Sequence, residues 1–189
     1  MAQVDTLFSD NGHEVLRFAD LVVGEGVQAN QFCIRHNDRA ALIDPGGDLT
    51  YTPLTIALSR RVNLDGLDYI LASHQDPDII ASLPRWLMHT RCQVVVSRLW
   101  SRFLPHLASS YVTGKMGEQL QARILGVADE GKVLPFAGTE LWVLPAHFLH
   151  SVGNFSFYDP LSGILFSGAV SYTHLRAHET SLHLVCRLL

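Results

Sequence analysis

The sequence lacks the features that mark a nucleic-acid-binding, secreted or membrane protein. Its formal net charge is −4 and its lysines and arginines form no cluster, so there is no basic surface for phosphate groups. No apolar run approaches the ~18 residues that cross a bilayer, and the first residues have neither the basic nor the apolar part of a secretion signal. The sequence therefore predicts a cytoplasmic protein that binds neither nucleic acid nor a membrane.

Cysteine is scarce, and the chain has no internal repeat and no low-complexity linker. Of the three cysteines, Cys33 and Cys92 lie in or beside apolar, strand-like runs. We predict that both are buried free thiols rather than metal ligands or disulfide partners. A chain of 189 residues, 48% of them hydrophobic, is expected to form one globular domain with a sizeable core.

The pattern of apolar residues predicts strands, then alternating helices and strands, then strands again. This order predicts an α/β fold in which two sheets lie between helix layers. A kink is expected near Pro84, and a break in the next helix is open near Pro105, because proline breaks the helical hydrogen-bond ladder. The predicted strands are 13–23, 28–35, 39–43, 69–72, 93–96, 132–136, 140–144, 154–158 and 163–167, and the predicted helices are 51–62, 79–89 and 98–107.

The segment from Ser73 to Ile79 carries an imidazole and two carboxylates in a loop between a strand and a helix. His74, Asp76 and Asp78 alternate, so they can point the same way if the loop stays extended, and Pro77 favours an extended Asp76. This composition is typical of a metal site at the carboxyl end of a strand. A purely structural interpretation is also open, in which Asp78 caps the helix and Asp-Pro is an ordinary turn.

A second loop with paired histidines, His147 and His150, also follows a predicted strand. A lone histidine is usually structural, but two loops of this kind make a shared metal site the better interpretation. Asp44 lies in the tight loop Asp44-Pro45-Gly46-Gly47. It is either a plain turn residue or a residue that positions a metal ligand without contacting the metal itself.

Several segments taken together resemble the metallo-β-lactamase superfamily. They are Asp44-Pro45-Gly46-Gly47, the loop from Ser73 to Asp78, the loop from His147 to Ser151, Gly153-Asn154-Phe155 and Leu165-Phe166-Ser167-Gly168. Within the superfamily they are similar to the oxygen-binding di-iron proteins, relatives of the flavodiiron oxygen and nitric oxide reductases. The resemblance covers residues 7–168 and implies an αββα sandwich that is truncated in its second half.

The resemblance also implies a set of metal ligands. In the family pattern His-x-Glu-x-Asp-His, His74 matches the first histidine, Asp76 stands in place of glutamate, Asp78 matches the aspartate, and Ile79 replaces the final histidine. With His150, the implied set is His74, Asp76 and His150 for one metal and Asp78 for a second. The replacement at Ile79 weakens the second site or leaves it an open position for a gas ligand.

Two imidazoles and one carboxylate are the ligand set associated with non-haem ferrous iron that keeps positions open for dioxygen. Zinc accepts the same ligands and is the second candidate. The resemblance implies two iron ions, and we expect His147 and Asp44 to support the site without contacting the metal.

The last segment, residues 169–189, is predicted to be a non-native tail, because it resembles a translated sequencing-library adapter. The family pattern places an aspartate that bridges both metals at position 169, where this chain has Ala169. The alternative is a zinc cluster formed by His174, His178 and Cys186, for which no partner loop with matching spacing is evident.

Four functions are compatible with these residues. The first is a cytoplasmic domain that binds or senses dioxygen at a di-iron centre and is joined to a signalling output domain that is absent here. The second is a flavodiiron-type module that reduces dioxygen or nitric oxide. The third is a metal-dependent hydrolase, which Asp76 in place of histidine disfavours. The fourth is a relic of the fold that binds no metal.

Overall fold

The computed structural model describes residues 2–24, 26–27, 29–107, 121–168 and 185–187. The strands are β1 (Gln3–Asp10), β2 (His13–Ala19), β3 (Gln31–His36), β4 (Arg39–Ile43), β5 (Leu67–Leu71), β6 (Gln93–Ser97), β7 (Ile124–Val127), β8 (Lys132–Phe136), β9 (Thr139–Pro145), β10 (Phe155–Asp159), β11 (Ile164–Phe166) and β12 (Val185–Arg187). The helices are α1 (Asp48–Ser59), α2 (Pro77–Ile80), α3 (Leu83–His89) and α4 (Arg98–Ser101), with single 3₁₀ turns at Leu64–Gly66 and Leu104–Leu107.

The first sheet contains β1 to β7 in sequence order. Strands β1 to β4 are antiparallel neighbours, and the pairs β4 with β5, β5 with β6 and β6 with β7 are parallel. The β1–β2 and β3–β4 connections use Asn11-Gly12 and Asn37, all at positive φ, as two-residue hairpin turns prefer. The parallel half places the carboxyl ends of β4, β5 and β6 at one edge, where binding loops collect.

The second sheet has the order β12-β11-β10-β9-β8 and is antiparallel throughout. Two apolar layers result. In β4, Ala40 and Leu42 pack in the layer between the first sheet and the helices, whereas Ala41 and Ile43 pack between the two sheets. This alternation is the period of two that a strand imposes on its side chains. All four helices contribute to the first layer, and the predicted α/β sandwich of two sheets is confirmed.

Local predictions differed from the structure in several places. Strands β1 and β7 were not predicted; the residues of β1 are half-exposed and show no clean alternation, and β7 has only four residues. The predicted helix 79–89 is two helices, α2 and α3, and Pro84 lies in the first turn of α3, where its missing N–H costs nothing. The predicted helix 98–107 divides into α4 and a separate 3₁₀ turn.

The cysteine prediction is confirmed for the two that the structure describes, since Cys33 and Cys92 are buried and free. Burial raises the pKa of the Cys33 thiol to about 12 and also raises the pKa of Cys92. Both thiols are therefore unreactive in the folded chain.

The expectations for the end of the chain fall largely outside the described residues. Ala169, His174 and His178 belong to that part, and so does the side chain of Cys186. The backbone of β12 is described, and it pairs with β11 in a register in which Val185 is the backbone partner of Phe166. Among the helices that are described, none has the length and apolar character to span a bilayer.

Candidate metal centre

The two predicted ligand loops meet where the two sheets join. The first loop follows β5, and the second lies between β9 and β10. The backbone N–H of Phe155, at the start of β10, donates a hydrogen bond of 2.9 Å to the carbonyl of Ser73. The second sheet is thereby joined directly to the first loop.

Asp76 occupies the N-cap position of α2 but makes no capping hydrogen bond. Its backbone is extended, with φ −66° and ψ 143°, as Pro77 favours. The carboxylate instead faces the two histidines: Oδ2 lies 3.4 Å from Nε2 of His74 and 3.1 Å from Nε2 of His150. The interpretation of Asp78 as the helix cap was wrong, since Asp78 lies inside the first turn of α2.

His74, Asp76 and His150 each offer one ligand atom, and the three atoms lie within 4.8 Å of one another. The two imidazole rings are nearly perpendicular, with centroids 4.6 Å apart. Metal bonds of about 2.1 Å at angles between about 90° and 109° separate ligand atoms by roughly 3.0–3.4 Å. The two contacts of Asp76 have this separation, so the three side chains are a candidate group for holding a single metal ion.

A hydrogen-bond chain behind His74 decides which of its nitrogens faces the site. The carboxylate of buried Asp44 accepts from the backbone N–H of Ser73 at 2.8 Å and from its hydroxyl at 2.9 Å. The hydroxyl lies 2.9 Å from Nδ1 of His74. Because its proton is donated to Asp44, the hydroxyl accepts from Nδ1–H. The lone pair of His74 is therefore on Nε2, the nitrogen that faces Asp76 and His150.

Burial lowers the pKa of His74, although the neighbouring carboxylates of Asp44, Asp76 and Asp78 act in the opposite direction. A lowered pKa keeps the imidazole neutral near pH 7, and a neutral imidazole is the form that binds metal. Asp76, whose side chain is 41% exposed, opens the site to solvent.

The implied second site is less complete in the described residues. Asp78 is half-buried, and its backbone packs against Gly47, where an added Cβ would lie 3.2 Å from the Asp78 Cα. Asp78 does not join the group of three ligand atoms. Ile79 is 1% exposed and packs in the core under the helices, so no imidazole is available at that position.

His147 is separate from this group. Its Nε2–H donates to the carbonyl of Asp129 at 2.9 Å, and its ring packs against Phe155 with centroids 5.3 Å apart. These contacts fix the start of the second loop and give His147 a packing role.

Two contacts of the site were not anticipated from the sequence. Ser73 was not singled out as the link between Asp44 and His74, although its place directly before the histidine was a usable signal. The hydrogen bond of 3.3 Å from the Ser151 hydroxyl to Oε1 of Gln75 joins the two ligand loops. Nothing in the spacing of two such distant residues indicated it.

Comparisons with known proteins identify the family of the chain. A family model described as ODP family beta lactamase matches residues 27–185. The chain is similar to the structure titled "Peroxy diiron species of chemotaxis sensor ODP", with 31% identity and a TM-score of 0.74 over 89% of this chain and 64% of that one. The apo state of chemotaxis sensor ODP from T. denticola gives 31% identity and a TM-score of 0.71, over 89% and 63% of the two chains.

A variant of a flavo di-iron protein from Thermotoga maritima is a more distant neighbour. Its identity is 25% and its TM-score 0.65, over 88% of this chain and 42% of that one. No curated protein sequence gives a significant match. The chain thus spans less than two thirds of the length of the solved proteins it resembles.

Proposed function

The chain belongs to the ODP family of beta-lactamase-fold proteins, and from this we propose that it is a domain that binds dioxygen at a non-haem iron centre and acts as a sensor. The proposal extends to a cytoplasmic location, to nitric oxide as an alternative ligand, and to a signalling output domain or protein as the partner. The solved protein with the stronger similarity is named a chemotaxis sensor, which supports a signalling role.

The observation that carries the proposal is that ligand atoms of His74, Asp76 and His150 lie within 4.8 Å of one another. Ferrous iron held by two imidazoles and one carboxylate supplies open coordination positions at which dioxygen binds. The Asp44–Ser73 pair keeps Nε2 of His74 free for the metal, and the carboxylate of Asp76 offsets part of the cation's charge. Asp78 is the proposed ligand for a second iron ion.

Similarity to a flavo di-iron protein, together with the resemblance to the flavodiiron reductases, supports a second candidate function, a module that reduces dioxygen or nitric oxide. That function needs an electron donor and repeated turnover. A sensor, in contrast, binds its ligand and needs no reductant.

The test is anaerobic loading of the chain with ferrous iron, followed by metal analysis and absorption spectroscopy before and after exposure to dioxygen. We expect bound iron and an absorption change on exposure, and we expect both to be lost in His74→Ala. The matched control is His89→Ala, an exposed histidine on α3. A folded chain that binds no iron contradicts the proposal, and steady consumption of dioxygen with an added reductant selects the reductase.

A further inference from the structure

An apolar cavity of about 420 Å³ opens beside the metal centre. Its floor is formed by three buried side chains, those of Ile80, Trp100 and Leu104. Its mouth carries four large apolar side chains that are about half exposed: Leu99 (49%), Phe103 (55%), Leu107 (44%) and Val152 (50%). Apolar side chains grouped in this way mark an interaction site more often than they occur by chance on a surface.

The cavity shares its wall with both ligand loops. Gln75, between His74 and Asp76, lines it, and so does Val152, two residues after His150. The hydrogen bond from Ser151 to Gln75 joins the same two loops. A change in the position of either loop therefore changes the shape of the cavity.

The rim of the cavity is positively charged. Arg102 lines the cavity, and Arg98, one helical turn earlier, lines an adjoining hollow together with Arg102 and Asp129. Across the described ranges, no carboxylate lies within ion-pair distance of either guanidinium. Two arginines against one aspartate leave an excess positive charge beside the apolar mouth.

The shape and charge indicate the occupant. A small-molecule site encloses most of its ligand, whereas this cavity is bordered by half-exposed side chains that suit an apolar group presented by another surface. A second copy of the chain would bring two patches of the same positive charge together, because a twofold contact uses one patch on both sides. Acidic groups on a different partner avoid this repulsion.

We propose that the cavity and its arginine rim form a docking face for an acidic, amphipathic segment of a partner protein. Apolar side chains of the segment enter between Phe103 and Val152, and its carboxylates pair with Arg98 and Arg102. The docking face does not require the metal. Its use as the output surface of a sensor rests on the proposed function, because only then does the ligand-loop geometry carry a signal.

The test uses a fluorescent amphipathic helical peptide with leucines at positions i, i+3, i+4 and i+7 and glutamates on both flanks, and a matched peptide with lysines in place of the glutamates. Binding to the whole chain is followed by fluorescence anisotropy. We expect the acidic peptide to bind roughly 10-fold more tightly than the basic one, since each exposed charge pair contributes up to about 1 kcal/mol. The double variant Arg98→Glu, Arg102→Glu is expected to reverse this preference.

Phe103→Glu is expected to abolish binding, and Ile56→Glu, which changes an exposed apolar residue of α1, is the matched control that retains it. Circular dichroism confirms that each variant is folded. Failure of the acidic peptide to bind, or binding that Phe103→Glu leaves unchanged, overturns the proposal. Dimerisation of the chain that Phe103→Glu abolishes also overturns it and assigns the face to a second copy. Iron content measured on the same samples tests the proposed function separately.

Discussion

The two loops that form the candidate metal centre differ in how firmly they are held. In the first loop, His74 and Ser73 are buried, and Asp44 supports them from the adjacent turn through two hydrogen bonds. In the second loop, His150 is partly exposed, and Phe148 is 78% exposed at a positive φ of 64°. The histidine of the first loop is thus enclosed by the fold, whereas the side chains of Asp76 and His150 are 41% and 21% exposed.

This difference follows from where each loop lies. The first loop leaves β5, which has hydrogen-bonded neighbours on both sides and apolar layers on both faces. The second connects two antiparallel strands, and the contacts of His147 with Asp129 and Phe155 hold it at its start. The second loop is therefore the one with more freedom to adapt when the centre changes, and through Val152 it borders the apolar cavity, as Gln75 of the first loop also does.

The largest expected effect is a difference in stability between the His74 and His150 variants, which are not expected to differ in iron binding. Both His74→Ala and His150→Ala remove a ligand, so we expect both to lose iron. His74→Ala also leaves a buried cavity and removes the N–H donor to the Ser73 hydroxyl, which keeps only its bond to Asp44, at a cost of about 2 kcal/mol of unfolding free energy. His150→Ala is expected to cost less than about 1 kcal/mol.

Denaturant unfolding of the metal-free chains measures this difference, and metal analysis measures the loss of iron. Equal destabilisation by the two substitutions would show that the loops are held equally firmly, which would contradict the difference described above.

A smaller effect is expected from substitutions of Asp44 and Ser73, which hold His74 in place through hydrogen bonds. Asp44→Asn retains the shape but cannot accept both hydrogen bonds of Ser73 with its amide, so a buried donor loses its partner. We expect iron affinity to fall about 10- to 100-fold and unfolding free energy to fall by about 1 kcal/mol. Ser73→Ala is expected to weaken iron binding less, because the backbone N–H of Ser73 keeps its bond to Asp44.

Titration of the chain with ferrous iron under anaerobic conditions gives these affinities. Parent-like affinity in Asp44→Asn would mean that the first loop keeps its geometry without the charge at position 44.

The pH dependence of stability tests the burial of His74. Its folded-state pKa lies below the ordinary value of about 6.5. As the pH falls below about 6.5, the unfolded chain therefore takes up a proton that the folded chain resists, and stability decreases. Above about pH 7 both states are unprotonated at this position, and the contribution vanishes.

Thermal unfolding of the metal-free parent and of His74→Asn, compared from pH 7.5 to pH 5.5, isolates this contribution. We expect the parent to lose more stability than the variant over this range. Parallel curves would show that His74 is as accessible to protons when folded as when unfolded.

The smallest effect is expected at His147. His147→Ala removes one hydrogen bond to the Asp129 carbonyl and a ring contact, both outside the group of three ligands. Iron affinity is expected to stay within about twofold of the parent, equivalent to roughly 0.5 kcal/mol. A loss of tenfold or more, measured by the same iron titration, would make His147 part of the centre.

Local patterns predicted those elements whose cause is local. The hairpin at Asn37 and the apolar run of β6 were located from sequence because turn residues and continuous β-formers mark them directly. β1 was missed because an edge strand needs only one hydrogen-bonded neighbour and few apolar residues. The predicted kink at Pro84 was wrong, because proline is compatible with the first turn of a new helix as well as with a kink.

The local geometry of Asp76 and the meeting of the two ligand loops have different physical causes. Residue types and the extended conformation that proline favours in its predecessor are properties of a few adjacent residues, so the sequence around His74 and Asp76 already contained them. The alternation did not extend to Asp78, because helix α2 has begun there. The approach of His150, the relay from Asp44 through Ser73 and the bond between Ser151 and Gln75 join residues far apart in the chain. Their positions depend on how two sheets pack face to face, because packing brings together side chains that no local pattern connects.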